Sequence, residues 1–435
     1  MIVAVAAAAA HAQAPPIAFP SKVEIVTVDA VVLDGDGHPV RGLAREDFLV
    51  EEDGQPQEIV SFEAFVSEAS PAAARPLAAV LASNEAGPAR AGRAFAFVLD
   101  DLGMTQGDMV SARRGVSTFL ERSVREGDEV TLVSTSGNAW WSARLPEGRE
   151  DLLAVLARLK GRGSEPSMSF DSMSDYEAFW IHNHDNAAGG DVLSRVMERW
   201  IQAQLCITGP GGQRPESCRQ MVRAAATGRD EQRRTRTRVV LGAVQRSVKA
   251  LAPLRGRKSV LLFSRGFLDD AATEAREVVA ASREANTAVY FVSVRGLTAS
   301  AGTPSVSDTG APDPSISGRM AFEDLVLESA GARSLADDTG GFSIVNTNDL
   351  GAGADRVGEE SRAFYLLGFE APSGKSPRTW RKLRVSVKRD GLTVRARRGY
   401  TLRAEPEAAG KNFPRPFGTP LGRAERPYRV LKSRK

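Results

Sequence analysis

Five apolar residues, Phe95–Leu99, run without a polar break and end in two acids, Asp100 and Asp101. A short, wholly apolar run fits a strand buried on both faces of a parallel sheet. The two acids then stand at its carboxyl end, where open α/β sheets place their ligands. From Gln106 to Arg122 the spacing changes to helical, with Met109, Ala112, Val116, Phe119 and Leu120 on one face. A strand, a loop carrying acid and a helix therefore follow one another here. The rest of the middle continues in the same style. EVTLVSTS (129–136) and NAWWSARL (138–145) read as a hairpin, so one strand of the sheet is antiparallel. Helices are predicted at 149–159, 270–285, 323–337 and 349–361. Buried strands are predicted at 258–263, 287–294 and 342–345.

The flanks carry a different period. Residues 22–66 alternate, with Val23, Ile25, Val28, Val31, Leu33, Val40, Phe48, Val50, Ile59, Val60 and Phe62 between turns at Asp34–Gly37 and Asp53–Gly54. Residues 363–401 alternate again, around an Asp390–Gly391 hairpin turn. Each segment holds too few strands to be stable alone, but together they supply about seven. The expectation is one β-sandwich built from both segments, with the α/β domain (93–362) inserted between its halves. Residues 67–92 are rich in Ala, Pro, Ser and Gly and read as a linker; 297–318 reads as a loop. The fold class is thus a doubly wound, mostly parallel α/β sheet with an attached sandwich. A mostly helical insertion is expected near 165–235, broken around Gly209–Pro215.

Composition adds limits. At 42% hydrophobic and 26% charged, the 435 residues are ordinary globular material for two or three domains. The net charge of +3 comes from the tail. Residues 402–435, aperiodic and read as disordered, hold nine Lys/Arg and three Asp/Glu, leaving 48 basic against 51 acidic residues elsewhere. A basic groove for nucleic acid is not indicated. Arg229–Arg238 carries five arginines, read as a solvated helix face in preference to a site for an anionic partner. The first residues, 1–14, resemble a signal peptide that lacks its basic start and ends in Ala12-Gln13-Ala14. That implies export to the periplasm or beyond. No stretch is long and apolar enough to span a bilayer. In an oxidising compartment Cys206 and Cys218 would form a local disulfide across a Gly-Pro-Gly-Gly bend. Several motif-like stretches carry no site. The Asp34–Gly37 turn lacks the other oxygens of a calcium loop. Gly351-Ala-Gly353 is not a dinucleotide fingerprint. His182 and His184 are read as surface residues, not ligands.

Several stretches together are similar to one family. They are VTVDAVVLDGDGHPVRGLARED (26–47), FLVEEDGQPQ (48–57), FVLDDL (97–102), GDEVTLV (127–133), RKSVLLFSRGF (257–267), LADDTGGFSIVNTNDL (335–350), YLLGF (365–369) and RKLRVSVKRDGLTVRARRGY (381–400). In this order, over about nine tenths of the chain, they resemble the von Willebrand factor type A (VWFA)-related family known from acidobacterial genomes. The resemblance implies a type A domain, a module that captures an acidic group of a partner protein through a Mg²⁺ ion at a metal-ion-dependent adhesion site. Such a site opens on Asp-x-Ser-x-Ser. Here the aligned residues are Asp100-Asp101-Leu102-Gly103-Met104, so two hard oxygens are missing. A register one residue later, Asp101-x-Gly103-x-Thr105, restores a single hydroxyl. The distant threonine ligand maps best to Ser174. Where a second acid should end the strand at 260–263 the chain reads Ser264-Arg265-Gly266, and Arg265 is expected to reach Asp100 as an ion pair. The site is therefore expected to be degenerate, with weak or absent Mg²⁺ coordination through Asp100, Asp101 and Ser174. The function implied is non-enzymatic protein binding. The alternative is a Mg²⁺-dependent hydrolase or phosphoryl-transfer enzyme using Asp100 and Asp101. It finds no support in a G-x-S-x-G or HExxH motif.

Overall fold

The computed structural model describes residues 25–66, 93–163, 173–184, 187–207, 216–254, 258–296, 326–347, 349–371 and 380–400. The signal-like start, the linker at 67–92, the loop at 297–318 and the tail at 402–435 lie outside them.

The Phe95–Leu99 run is the centre of a six-stranded sheet. Its strand, β5 (Ala94–Leu99), lies between β6 (Glu129–Ser134) and β8 (Lys258–Ser264), parallel to both. Next to β8 comes β9 (Thr287–Ser293) and then β10 (Ser343–Ile344), also parallel. The far edge is β7 (Trp140–Arg144), antiparallel to β6 as the hairpin spacing requires. Counted within this domain the order is 3-2-1-4-5-6, that of a doubly wound sheet. Alternate residues of β5 serve opposite cores. Phe95, Phe97 and Leu99 pack on α1 (Gln106–Arg122), α2 (Arg149–Arg158) and α8 (Leu350–Glu360). There Phe119 meets Phe95 and Phe97 edge-on, with ring centroids 5.1 and 5.3 Å apart. Ala94, Ala96 and Val98 face α5 (Glu216–Leu251), α6 (Ala272–Ala285) and α7 (Ala330–Asp338). The alanines let α5 approach the sheet closely.

The sandwich forms as the alternating flanks predict, with eight strands. One sheet has the order β13 (Thr393–Ala396), β1 (Ile25–Leu33), β11 (Ala363–Glu370), β4 (Ile59–Val66). The other has β14 (Gly399–Tyr400), β12 (Arg381–Val387), β2 (Phe48–Glu52), β3 (Gln55–Gln57). Each sheet mixes strands from both ends of the chain. Val28, Ala30, Val32, Phe48, Val50, Leu367 and Phe369 fill the space between them. Tyr365 sits in that core with its hydroxyl donating to the Val40 carbonyl (2.9 Å) and accepting from the Leu43 N–H (3.2 Å).

The insertion is a small helical subdomain. α3 (Asp175–Asn183) and α4 (Ala187–Gln202) pack on the first half of α5 around Ile181, Val192, Val196, Met197 and Val222. At 36 residues, α5 is about 54 Å long. Its buried residues against the sheet begin at Val240, so its earlier turns extend past the carboxyl edge of the strands. Cys206, just after α4, is bridged to Cys218 in α5, as the oxidising-compartment argument expects. Four of the five arginines of 229–238 keep an exposed side chain, as a solvated face requires, but all five are also paired with acids. Arg229 and Arg236 hold Asp175, Arg233 holds Asp230 and Asp270, Arg234 reaches Asp230, and Arg238 reaches Glu274. They bind the insertion to the body. His182 contacts Thr227 (3.0 Å), and His184 stacks on Trp180.

At the opposite edge of the sheet, buried Arg93 is bonded on every side. It donates to Asp128 (3.2 Å from Nε), Ser361 Oγ (3.0 Å) and the carbonyls of Ser123 (2.8 Å) and Gly358 (3.3 Å). Arg93→Met would strand the Asp128 carboxylate without its partner. The expected cost is about 3–5 kcal/mol, read from urea unfolding. Replacing both cysteines by serine should remove about 2–3 kcal/mol in the loop-closure account, read as a lowered melting temperature that reductant no longer changes. Two freely labelled thiols in unreduced wild-type protein would refute the bridge.

Candidate functional site

The order of strands reverses between β5 and β8, and the loops leaving them diverge there to opposite faces. Asp100 and Asp101 lie at this point. The Asp100 N–H donates to the carbonyl of Phe263 on β8, which holds the loop down (2.9 Å). Both side chains are buried, at 4% and 1% exposure.

Hydroxyls from the two neighbouring strands close over them. Ser264, the last residue of β8, donates to Asp100 Oδ2 (2.7 Å). The Gly103 N–H donates to Oδ1 (3.1 Å). The Thr135 hydroxyl, just beyond β6, lies between the two acids, 3.3 Å from Asp100 Oδ1 and 3.0 Å from Asp101 Oδ1. Ser136 gives its N–H to Asp101 Oδ1 (2.9 Å) and its hydroxyl to Oδ2. Every carboxylate oxygen of the pair thus accepts from a donor of the protein. Burial raises the pKa of Asp100 above the ordinary carboxylate value of 3.8. The Ser264 hydroxyl, the Gly103 amide, the Arg236 charge and the Thr135 hydroxyl oppose that shift without cancelling it.

Of the three residues expected at a metal site, the structure brings two together. Ser174 is not among the groups bonded to them. Its hydroxyl is the N-cap of α3 and accepts from the Glu177 N–H (3.0 Å), while Glu177 returns a bond to the Ser174 N–H (2.9 Å). The Ser-x-x-Glu spacing makes that a capping box. Arg265 also departs from expectation. It pairs with Asp108 (3.0 Å) in place of Asp100. Thr105 and Asp108 form the capping box of α1, which sets the Asp108 carboxylate at the head of that helix and within reach of Arg265. The residues that the sequence reading missed are Thr135, Ser136 and Ser264. Their signal was the hydroxyl-bearing end of EVTLVSTS and the serine where an acid was sought.

A fourth segment completes the edge. After α2 the chain reads Lys160-Gly161-Arg162-Gly163 and lies against the loop that follows β5. The N–H groups of Arg162 and Gly163 donate to the carbonyls of Asp101 (2.8 Å) and Met104 (2.7 Å).

The sequence matches no protein-family model and no curated protein. Among solved structures it is similar to an aerotolerance-related membrane protein from Bacteroides fragilis carrying multiple mutations to serine. The identity is 12% over 62% of this chain and 98% of that one, at a TM-score of 0.32. A likeness that loose transfers no activity and no partner. What fold and site define by themselves is a mixed α/β protein: a parallel-rich six-stranded sheet flanked by helices, inserted in an antiparallel sandwich, with a closed acid pair at the switch point. Among the described residues no helix is long and apolar enough to cross a membrane.

The raised pKa of Asp100 has a definite sign. The folded state holds the proton more tightly than the unfolded chain, so stability from this group is complete below about pH 4 and declines as pH rises through the folded value. Asp100→Asn should abolish that decline. The stability difference between variant and wild type, from urea unfolding at a series of pH values, should grow in the variant's favour above the ordinary carboxylate range. Thr135→Val, by contrast, removes the one hydroxyl that the two buried acids share and should cost about 1–3 kcal/mol by the same measurement.

Proposed function

We propose that this protein is an exported, non-enzymatic module that binds a partner protein at the carboxyl edge of its six-stranded sheet. The observation that carries the reading is the state of the acid pair. Asp100 and Asp101 are buried, and each oxygen is already engaged by Ser264, Gly103, Thr135 or Ser136. A general base or nucleophile must reach the atom it acts on, and this pair faces hydroxyls of its own protein. That counts against the phosphoryl-transfer or hydrolase alternative. Type A domains, which the sequence resembles, bind partners at this edge, and the antiparallel third strand agrees with that resemblance. The disulfide agrees with export.

Hard oxygens are the right donors for Mg²⁺, but their arrangement does not fit the ion. The hydroxyls are already spent on the carboxylates, and Leu102 and Met104 stand where serines are needed. A Cβ on Gly103 would lie 2.5 Å from Asp100 Oδ2, so the loop is packed against the carboxylate. Calorimetric titration with Mg²⁺ and Mn²⁺ should therefore show no micromolar binding, and partner capture from the exported fraction should persist in chelator. Phosphatase or esterase turnover with Mg²⁺ that Asp100→Ala abolishes would overturn the reading.

A further inference from the structure

We infer that the partner is held by one of its own carboxylates, bound directly by the guanidinium of Arg162 with no metal ion between them; this deepens, and rests on, the partner-binding reading above.

Arg162 is placed by its backbone. The two hydrogen bonds from Arg162 and Gly163 to Asp101 and Met104 lock the segment onto the loop after β5. The approach is closer than any side chain would allow at the flanking positions. A Cβ on Gly161 would fall 2.1 Å from the Thr105 carbonyl oxygen, and one on Gly163 would fall 2.6 Å from that of Gly103. Glycine on both sides therefore presents a single side chain, and it is an arginine. Its Nε stands 3.9 Å from Asp101 Oδ2, outside hydrogen-bond distance, because Asp101 is already bonded to Thr135 and Ser136. The Arg162 side chain is 53% exposed, the Asp101 side chain 1%. Asp101 thus attracts the guanidinium from below without using its donors.

The other arginines around this edge are differently occupied. Arg265 is bonded to Asp108, Arg236 to Asp175, Arg295 to Glu328, and Arg233 to Asp230. Among these arginines Arg162 alone stands more than 3.5 Å from its nearest acid, and its side chain is the most exposed. The ligand this favours is a carboxylate. A planar guanidinium accepts one side-on through two parallel N–H bonds. The buried acid behind Arg162 offsets much of its charge, which suits a monoanion better than a phosphate dianion.

The test uses the full chain and a fluorescein-labelled octaglutamate peptide, followed by anisotropy at low salt in EDTA, with octaglutamine as the neutral comparison. Octaglutamate should bind and octaglutamine should not. Arg162→Gln should weaken binding at least about tenfold, and Arg162→Lys should recover part of it, since a point charge lacks the fork. Arg384→Gln, on the sandwich, should leave binding unchanged. The half-exposed site lets the Arg162 variants fold, which their melting temperatures verify. No binding by wild type, equal binding by Arg162→Gln, an equal loss in Arg384→Gln, a requirement for Mg²⁺, or displacement by equimolar inorganic phosphate would each overturn the proposal. Partner capture that survives Arg162→Gln would overturn the role of Arg162 and leave the binding module standing. Mg²⁺-dependent turnover abolished by Asp100→Ala would overturn the module itself.

Discussion

β11 is the constraint on which the two domains depend. It leaves α8 at the end of the α/β domain and enters the sandwich between β1 and β4, pairing antiparallel with both. Neither of those strands pairs with the other; they meet only through β11. The first sheet of the sandwich therefore cannot close until the intervening α/β domain has returned residue 363 to residue 66. Closing so long a loop is entropically modest once the domain is compact, but it makes the sandwich contacts late and non-local. The second sheet repeats the arrangement, with β12 lying beside β2. The two halves thus share one architecture, and a change that loosens the α/β domain must also be felt in the sandwich.

Guanidinium groups fasten the joints. Arg395 reaches Glu360 at the end of α8 and lies over the Phe342 ring, which Arg356 covers as well. Arg398 extends from the sandwich to Asp337 in α7 (2.8 Å). Arg381, fully buried, pairs with Glu52 between β12 and β2. Arg93 closes the amino edge of the central sheet, and the arginines of α5 tie the insertion to its base. The buried pairs among them, those of Arg381, Arg93 and Arg233, add little net stability over apolar contacts, but breaking one partner is costly. They select which surfaces meet. That is the use this chain makes of much of its basic content, the run of five arginines in α5 included.

At the carboxyl edge the same economy operates in reverse. Hydroxyls close the acid pair, and the glycine-flanked Arg162 is left facing outward.

The elements were legible from periodicity alone. The apolar run ending at Leu99, the helix from Gln106 to Arg122, the hairpin after Glu129 and the alternating flanks all stand where local pattern put them, because burial on one face or two is written into residue order. The joining of both flanks in one sandwich was also legible, since neither had strands enough to stand alone. The partners of polar groups were not. Whether Arg265 meets Asp100 or Asp108 depends on a few ångströms set by the capping box of α1. Ser174 is spent on its own helix, a use its Ser-x-x-Glu spacing encodes locally, while Thr135, Ser136 and Ser264 are spent on the acids, a use that depends on strands from elsewhere in the chain. Sequence by itself determined which segments are strands and helices and that acids stand at the end of the central strand. Tertiary structure decided whether those acids are open or closed, because a hydroxyl or a guanidinium bonds to whatever lies within about 3 Å, and that neighbour comes from another part of the chain.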